Sequence, residues 1–189
     1  RTLAIRRRPG AFTPASPAGS MSPPGLYDKG PAGFSFSPTD NPESKTFYSR
    51  AAVEDPRPIL GQECIPGHFL QLSIANHIPD EIRRQNGNNV FIEGWALYGE
   101  EMLMRQGLYP PDSASQGQVL RLARYRCARI GVDVNLHTGK WTFQQAVKHF
   151  MEAGGLHRES AEGEAAGSAP SPPHKVRHLV GKRQALRVF

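Results

Sequence analysis

Residues 61–71, Gly-Gln-Glu-Cys-Ile-Pro-Gly-His-Phe-Leu-Gln, set a carboxylate, Glu63, five positions before an imidazole, His68. These residue types do metal-assisted hydrolysis in the H-E-x-x-H arrangement. There, two histidines four apart share a helix face and the intervening glutamate acts on a metal-activated water. Here position 62 is Gln62, and it stands six positions before His68. On a regular helix six positions leave two side chains about 120° apart. Pro66 removes the hydrogen bond to the carbonyl of Gln62, and Gly67 tolerates irregular dihedrals. A two-residue bulge at this point would return positions 62 and 68 to one face. A proline-kinked helix carrying one ordinary histidine is the other reading. Cys64 reads as a small buried thiol and not as a nucleophile.

Further carboxylates follow in "NNVFIEGWALYGEEMLMRQG". Glu93 and Glu100 share a helix face, and no Lys or Arg occurs between positions 85 and 104. Apolar stripes cover most of the rest of this helix, so it is expected to be buried. Buried carboxylates stay ionised only beside a cation or strong donors. Two suppliers are open. One is a metal held partly by His68. The other is the row Arg126, Arg129, Asp133 and His137, spaced three, four and four, which would form Arg–Glu pairs. That row flanks an apolar stripe of Leu120, Ala123, Cys127, Ile130 and Val134. It therefore reads either as a solvated face beside a core-facing one or as the lining of a wet interior cleft.

The elements that must position these groups are mainly helical. Residues 1–60 hold ten of the seventeen prolines and read as extended chain or long loop, with "GFSFS" at 33–37 as one short edge strand. A first helix is expected from near Gln62 to about His77, broken or bent at Pro66 and closed by Pro79. A second runs from Asn89 to Gln106 with Gly107 as its cap, and a third spans 116–137. A fourth opens at Thr142, where Gln145 three residues on makes a capping box, and it ends at Gly154-Gly155. A shorter helix is expected at 160–167 and a last one after Pro172-Pro173. The expected organisation is a flexible basic segment over residues 1–24 and one helical domain over 25–189.

The net charge is +6. Nine of the basic residues, Arg1, Arg6, Arg7, Arg8, Lys175, Arg177, Lys182, Arg183 and Arg187, sit at the two ends. Without them, fourteen basic residues face seventeen acidic ones, a balance of −3. A nucleic-acid groove needs basic residues along the folded face, so nucleic acid is not an expected partner. No apolar run reaches the ~18–20 residues of a membrane span. Two cysteines give neither a disulfide framework nor a zinc pattern. Cytoplasmic, periplasmic and secreted settings all stay open.

Three segments together, "QECIPGHFLQ", "FIEGWALYGEEM" and "RCARIGVDVNLHTGKWTFQQAV", resemble a bacterial family of unknown function placed beside the thimet-oligopeptidase-like zinc metallopeptidases. The tail "ESAEGEAAGSAPSPPHKVRHLVGK" is also similar to that family's C-terminal region. The resemblance runs from about residue 25 to the end. It implies a mainly α, multi-helical, gluzincin-like fold in which this chain is the C-terminal catalytic portion, partnered by an upstream helical half of the same protein. It implies zinc as cofactor, with His68, Glu93 and position 62 as ligands, and short peptides as substrates. Glu63 would be the general base. Asp133 and His137 would support the ligands or steady the substrate carbonyl, with His137 in a catalytic role, while Arg126 and Arg129 would hold the buried acids, Glu100 among them. Two departures stand out. Gln62 replaces the family's histidine, and an amide oxygen is a weaker zinc ligand than an imidazole. His178 stands where relatives often carry tyrosine. A metal-free module of the same fold, acting in binding, is the alternative to a peptidase.

Overall fold

A computed structural model of the chain describes residues 2–7, 19–23, 25–27, 30–36, 54–111 and 113–188. The fold is mainly helical. Three short strands, β1 (Leu3–Arg7), β2 (Gly19–Ser22) and β3 (Ala32–Phe36), are followed by helices α1 (Arg57–Glu63), α2 (His68–Ala75), α3 (Glu81–Gln85), α4 (Asn89–Arg105), α5 (Ala114–His137), α6 (Phe143–Glu152), α7 (Arg158–Ser168) and α8 (Arg177–Val188). The proline-rich stretches 8–18 and 37–53, expected as extended chain or loop, lie outside the described residues.

The expected edge strand at 33–37 is instead the centre of a sheet of order β1-β3-β2. β1 runs parallel to β3, with Leu3 opposite Ala32, and β2 runs antiparallel, with Gly19 opposite Phe36. Both outer strands come from residues 1–24, so that segment is not wholly irregular, and strands from either side of position 24 pair with one another. Their sequences, Leu-Ala-Ile-Arg-Arg and Gly-Ser-Met-Ser, lack a sustained period-two apolar pattern, the signal a sequence reading depends on.

The helices begin where the capping residues place them. Asn88 accepts hydrogen bonds from the amides of Val90 and Phe91 at 2.9 and 3.2 Å and starts α4. Thr142 and Gln145 form the reciprocal capping box that starts α6. The last two helices fall where expected. α3 had no counterpart in the sequence reading, although Asp80 caps it by accepting from the Arg83 amide at 3.0 Å.

One apolar core lies among α5, α6 and α7, built from Tyr125, Ala128, Val132, Val147, Phe150 and Ala161, with their buried neighbours. On α5 the ionic row faces inward, the second of its two readings, and Arg126 pairs with Glu100, while much of the apolar stripe turns outward. Leu120 and Val134 are 59% and 47% exposed, while Arg126 and Asp133 are 2% and 1% exposed. Arg129 is buried with them. The helix rotates its ionic row inward because partners wait there, and the inner row still includes Val119, Leu122, Tyr125 and Val132 as its apolar part.

A second packing unit joins α4 to α8 through the close approach of two glycines. A Cβ on Gly94 would lie 2.2 Å from the carbonyl carbon of Gly181, and a Cβ on Gly181 would lie 1.9 Å from the carbonyl oxygen of Val90. The two helices touch through their main chains. Gly94→Ala is therefore expected to lower stability by at least about 1–3 kcal/mol, the usual range for overpacking. A thermal melt checks it: a midpoint matching the parent would mean that the helices are not in main-chain contact.

Candidate functional site

The helix expected to be broken or bent at Pro66 is broken into two. α1 stops at Glu63 and α2 begins at His68, with a four-residue turn between them and a cis Ile65–Pro66 peptide. The Gly67 amide donates to the Gly61 carbonyl at 3.0 Å, and the Leu70 amide to that of Cys64 at 3.2 Å. A Cβ on Gly67 would fall 1.7 Å from the Gln62 carbonyl oxygen, so the turn accepts only glycine there. It is pinned from outside by the Trp95 indole, which donates to the Pro66 carbonyl at 2.8 Å. Trp95 sits two residues after Glu93 on α4, so the same helix that carries the carboxylate holds the turn that presents the imidazole.

Glu93 is the centre of the cluster. His178 Nε2, from the first turn of α8, lies 3.0 Å from Glu93 Oε2, and His68 Nε2 lies 3.8 Å from the same oxygen. Burial pushes Glu93 up, but the His178 hydrogen bond and the surrounding imidazoles hold it down at about 2. Burial pushes both His68 and His178 below the ordinary histidine value, against the pull of Glu93. Burial thus works against the charged form of both rings beside the carboxylate, and a carboxylate with neutral imidazoles is the set that donates lone pairs to a cation. The Nδ1 atoms of both rings are buried without a hydrogen-bond partner among the described residues.

Glu63 lies at the end of α1, where the Met21 amide of β2 donates to its Oε2 at 2.9 Å. Burial raises its carboxyl to about 7; the Met21 amide opposes the rise and the nearby Glu93 charge adds to it. Glu63 and Glu93 are close enough to repel. Burial also raises the Cys64 thiol to about 11, which leaves it inert as a nucleophile.

The remaining residues singled out in the sequence fall into two other networks. Arg126 forks onto Glu100, Nη1 to Oε2 at 2.8 Å and Nη2 to Oε1 at 3.0 Å, and Nη2 also donates to Gln62 Oε1. Gln62 therefore spends its amide oxygen on a guanidinium. Burial pushes the Glu100 carboxyl up against the pull of Arg126. Arg129 forks onto Glu164, with both contacts at 3.1 Å, and lies over the Tyr125 ring at 4.4 Å. It meets neither Glu93 nor Glu100 in these contacts. Asp133 Oδ2 accepts from the amides of Lys175 and Val176 at 2.9 and 3.2 Å, anchoring the entry to α8. His137 ends α5, its Nδ1 2.7 Å from the Asp133 carbonyl oxygen and 2.8 Å from Asp133 Oδ1, and its Nε2 3.3 Å from the Ala169 carbonyl. The cluster around Glu93 thus gathers Glu63, His68 and His178, while His137 is engaged elsewhere. His174 was not singled out in the sequence, yet its ring centroid is 6.1 Å from that of His178 and it lies near enough to Glu93 to help hold that carboxyl down. The H-x-x-x-H spacing of 174 and 178 was the available signal.

The donor chemistry fits a borderline divalent cation such as zinc, which takes imidazole nitrogen and carboxylate oxygen. The cage is not ready-made. Among the described residues no group of three or more His, Cys, Asp or Glu side chains already has metal-binding geometry.

A family model described as bacterial protein of unknown function (DUF885) matches residues 1–188. The chain belongs to that family. Among solved structures, this DUF885 chain is similar to a protein from Colwellia psychrerythraea described as a "putative lipoprotein", with TM-score 0.85 and 22% identity over 99% of this chain and 31% of that one. It is similar also to a "putative lipoprotein of unknown function" from Shewanella oneidensis, with TM-score 0.78 and 25% identity over 98% of this chain and 33% of that one. The DUF885 chain spans about a third of the length of both. A comparison with curated proteins finds no match. None of these descriptions names a peptidase, a metal or a substrate. Among the described residues no helix is long and apolar enough to cross a membrane.

Proposed function

We infer that the chain carries the hydrolytic centre of a zinc-dependent peptidase acting on short peptides. The observation that supports this reading is the convergence of His68, Glu93 and His178, with the half-buried carboxylate of Glu63 near enough to feel the Glu93 charge. His68 Nε2 and Glu93 Oε2 would hold the cation, which when bound polarises water and a substrate carbonyl. Glu63 takes a proton from the attacking water on its carboxylate and returns it to the departing amine. The Met21 amide fixes the Glu63 carboxylate while this happens, leaving the second oxygen for the proton. The α1–α2 turn and Trp95 set where the His68 ring stands. Asp133 orients the start of α8 through two main-chain amides. The similarity to proteins described as lipoproteins supports an extracytoplasmic setting in a bacterium.

A second reading, a metal-free binding module of the same fold, is favoured by one observation. Gln62 is drawn away from the cluster into the Arg126–Glu100 pair. Metal content separates the two readings. The purified protein is expected to carry about one zinc per chain and to cleave an internally quenched peptide in a chelator-sensitive way. Cleavage should return when zinc is added back. A protein that stays metal-free after zinc loading and leaves the peptide intact would be the binding module.

A further inference from the structure

We propose that His178 is the third protein ligand of the metal site, supplying the imidazole that position 62 does not. This builds on the metal reading above and changes its ligand set. Three observations carry it. First, the two imidazole nitrogens nearest the Glu93 carboxylate approach one and the same oxygen, Oε2, at 3.0 and 3.8 Å. Tetrahedral zinc with bonds of about 2.0–2.1 Å puts neighbouring donor atoms roughly 3.3–3.4 Å apart. The two distances bracket that value, so each ring stands near the separation from Glu93 Oε2 that shared ligation of one ion requires.

Second, Gln62 is already occupied. Its Oε1 accepts from Arg126 Nη2, and the same guanidinium is bonded twice to the buried Glu100. Turning Gln62 toward Glu93 would break a charge-assisted hydrogen bond to a buried guanidinium, and an amide oxygen offers zinc little in return.

Third, the backbone that carries His178 is held on both sides, by a carboxylate on the amides ahead of it and by a main-chain contact beyond it. Asp133 holds the amides of Lys175 and Val176 just ahead of it. Gly181, one helical turn beyond His178 and on the same face, rests against Gly94, the residue after Glu93. Lys182, one position further, pairs with Glu101 of α4. His178 is 6% exposed, and its only ion-pair contact runs to Glu93 among those of the described residues. The fold thus delivers a buried imidazole to the carboxylate at a fixed spacing. The resulting set is two nitrogens and one oxygen, leaving a fourth position for water or substrate.

Cobalt(II) substituted for zinc in the intact protein provides the test, because a thiolate bound to cobalt gives a charge-transfer band in the near ultraviolet. His178→Cys is expected to show that band and Gln62→Cys to lack it. In parallel, His178→Asn should lose more zinc affinity than the roughly 10–100-fold that follows damage to a supporting hydrogen bond. Gln62→Ala should stay within about 3-fold of the parent, below that range. Circular dichroism establishes that each variant is folded. If the position-178 variants do not fold, the Gln62 pair still decides. A cobalt–thiolate band from Gln62→Cys, or a large affinity loss in Gln62→Ala, overturns the ligand assignment and leaves the metal reading standing. A folded, cobalt-loaded His178→Cys without the band does the same. If the parent binds neither cobalt nor zinc, the metal reading falls and this assignment with it.

Discussion

Glu63→Gln is expected to lower kcat/KM for peptide hydrolysis by about 10²–10⁴-fold, the range that general acid–base catalysis supplies. Zinc content should stay at the parent level. The isosteric amide keeps an oxygen for the Met21 hydrogen bond, so the local packing of α1 against β2 is retained and the change isolates proton transfer. A neutral amide cannot accept a proton from water at neutral pH. The loss should therefore fall on kcat, with KM nearly unchanged. Steady-state kinetics on a quenched peptide, with metal analysis of the same sample, decide the matter. Activity within about 3-fold of the parent, well under the acid–base range, would remove Glu63 from the proton path.

Arg126→Ala is expected to cost about 3–5 kcal/mol of stability, the typical penalty for breaking a buried ion pair by deleting one partner. At about 2–4 °C per kcal/mol for a domain of this size, the melting midpoint should fall by roughly 6–20 °C. The reason is local. Glu100 is fully buried, and Arg126 donates to both of its oxygens. Removing the guanidinium also strands the Gln62 amide oxygen. Replacing both residues together, as Arg126→Met with Glu100→Leu, should recover much of the loss, because an apolar pair of similar volume avoids the desolvation cost of two charges. A single variant that melts within about 2 °C of the parent, less than 1 kcal/mol on that scale, would mean that the pair is not buried.

Much of the helical frame was legible because its signals are local. Asn88 and Thr142 announce helix starts through their own side chains, and Pro66 forces an interruption wherever it falls in a helix. What failed was long-range. The apolar stripe of α5 looked core-facing, yet Leu120 and Val134 face outward because Glu100, Glu164 and the Lys175–Val176 amides draw the ionic row in. Glu100 on α4 was one of the partners its row offered, but Glu164 on α7 and the amides at the entry to α8 leave no pattern within α5. β1 and β2 went unread because strand pairing replaces the side-chain pattern that would have marked them. In the cluster, Glu63, His68 and Glu93 were singled out by residue type and by resemblance, since their separation in sequence carries no geometric information. His178 was noticed only as a departure from a pattern. Its approach to Glu93 depends on two glycines eighty-seven positions apart, at 94 and 181, which in a sequence look like ordinary helix-weakening residues.

Those glycines give the spacing between Glu93 and His178 an unusual tolerance to mutation. Main-chain atoms act as the shim between α4 and α8, so drift among the surrounding apolar residues leaves the gap unchanged. One methyl group at either glycine would wedge the helices apart and take the pair out of reach of each other, however well every other side chain repacked.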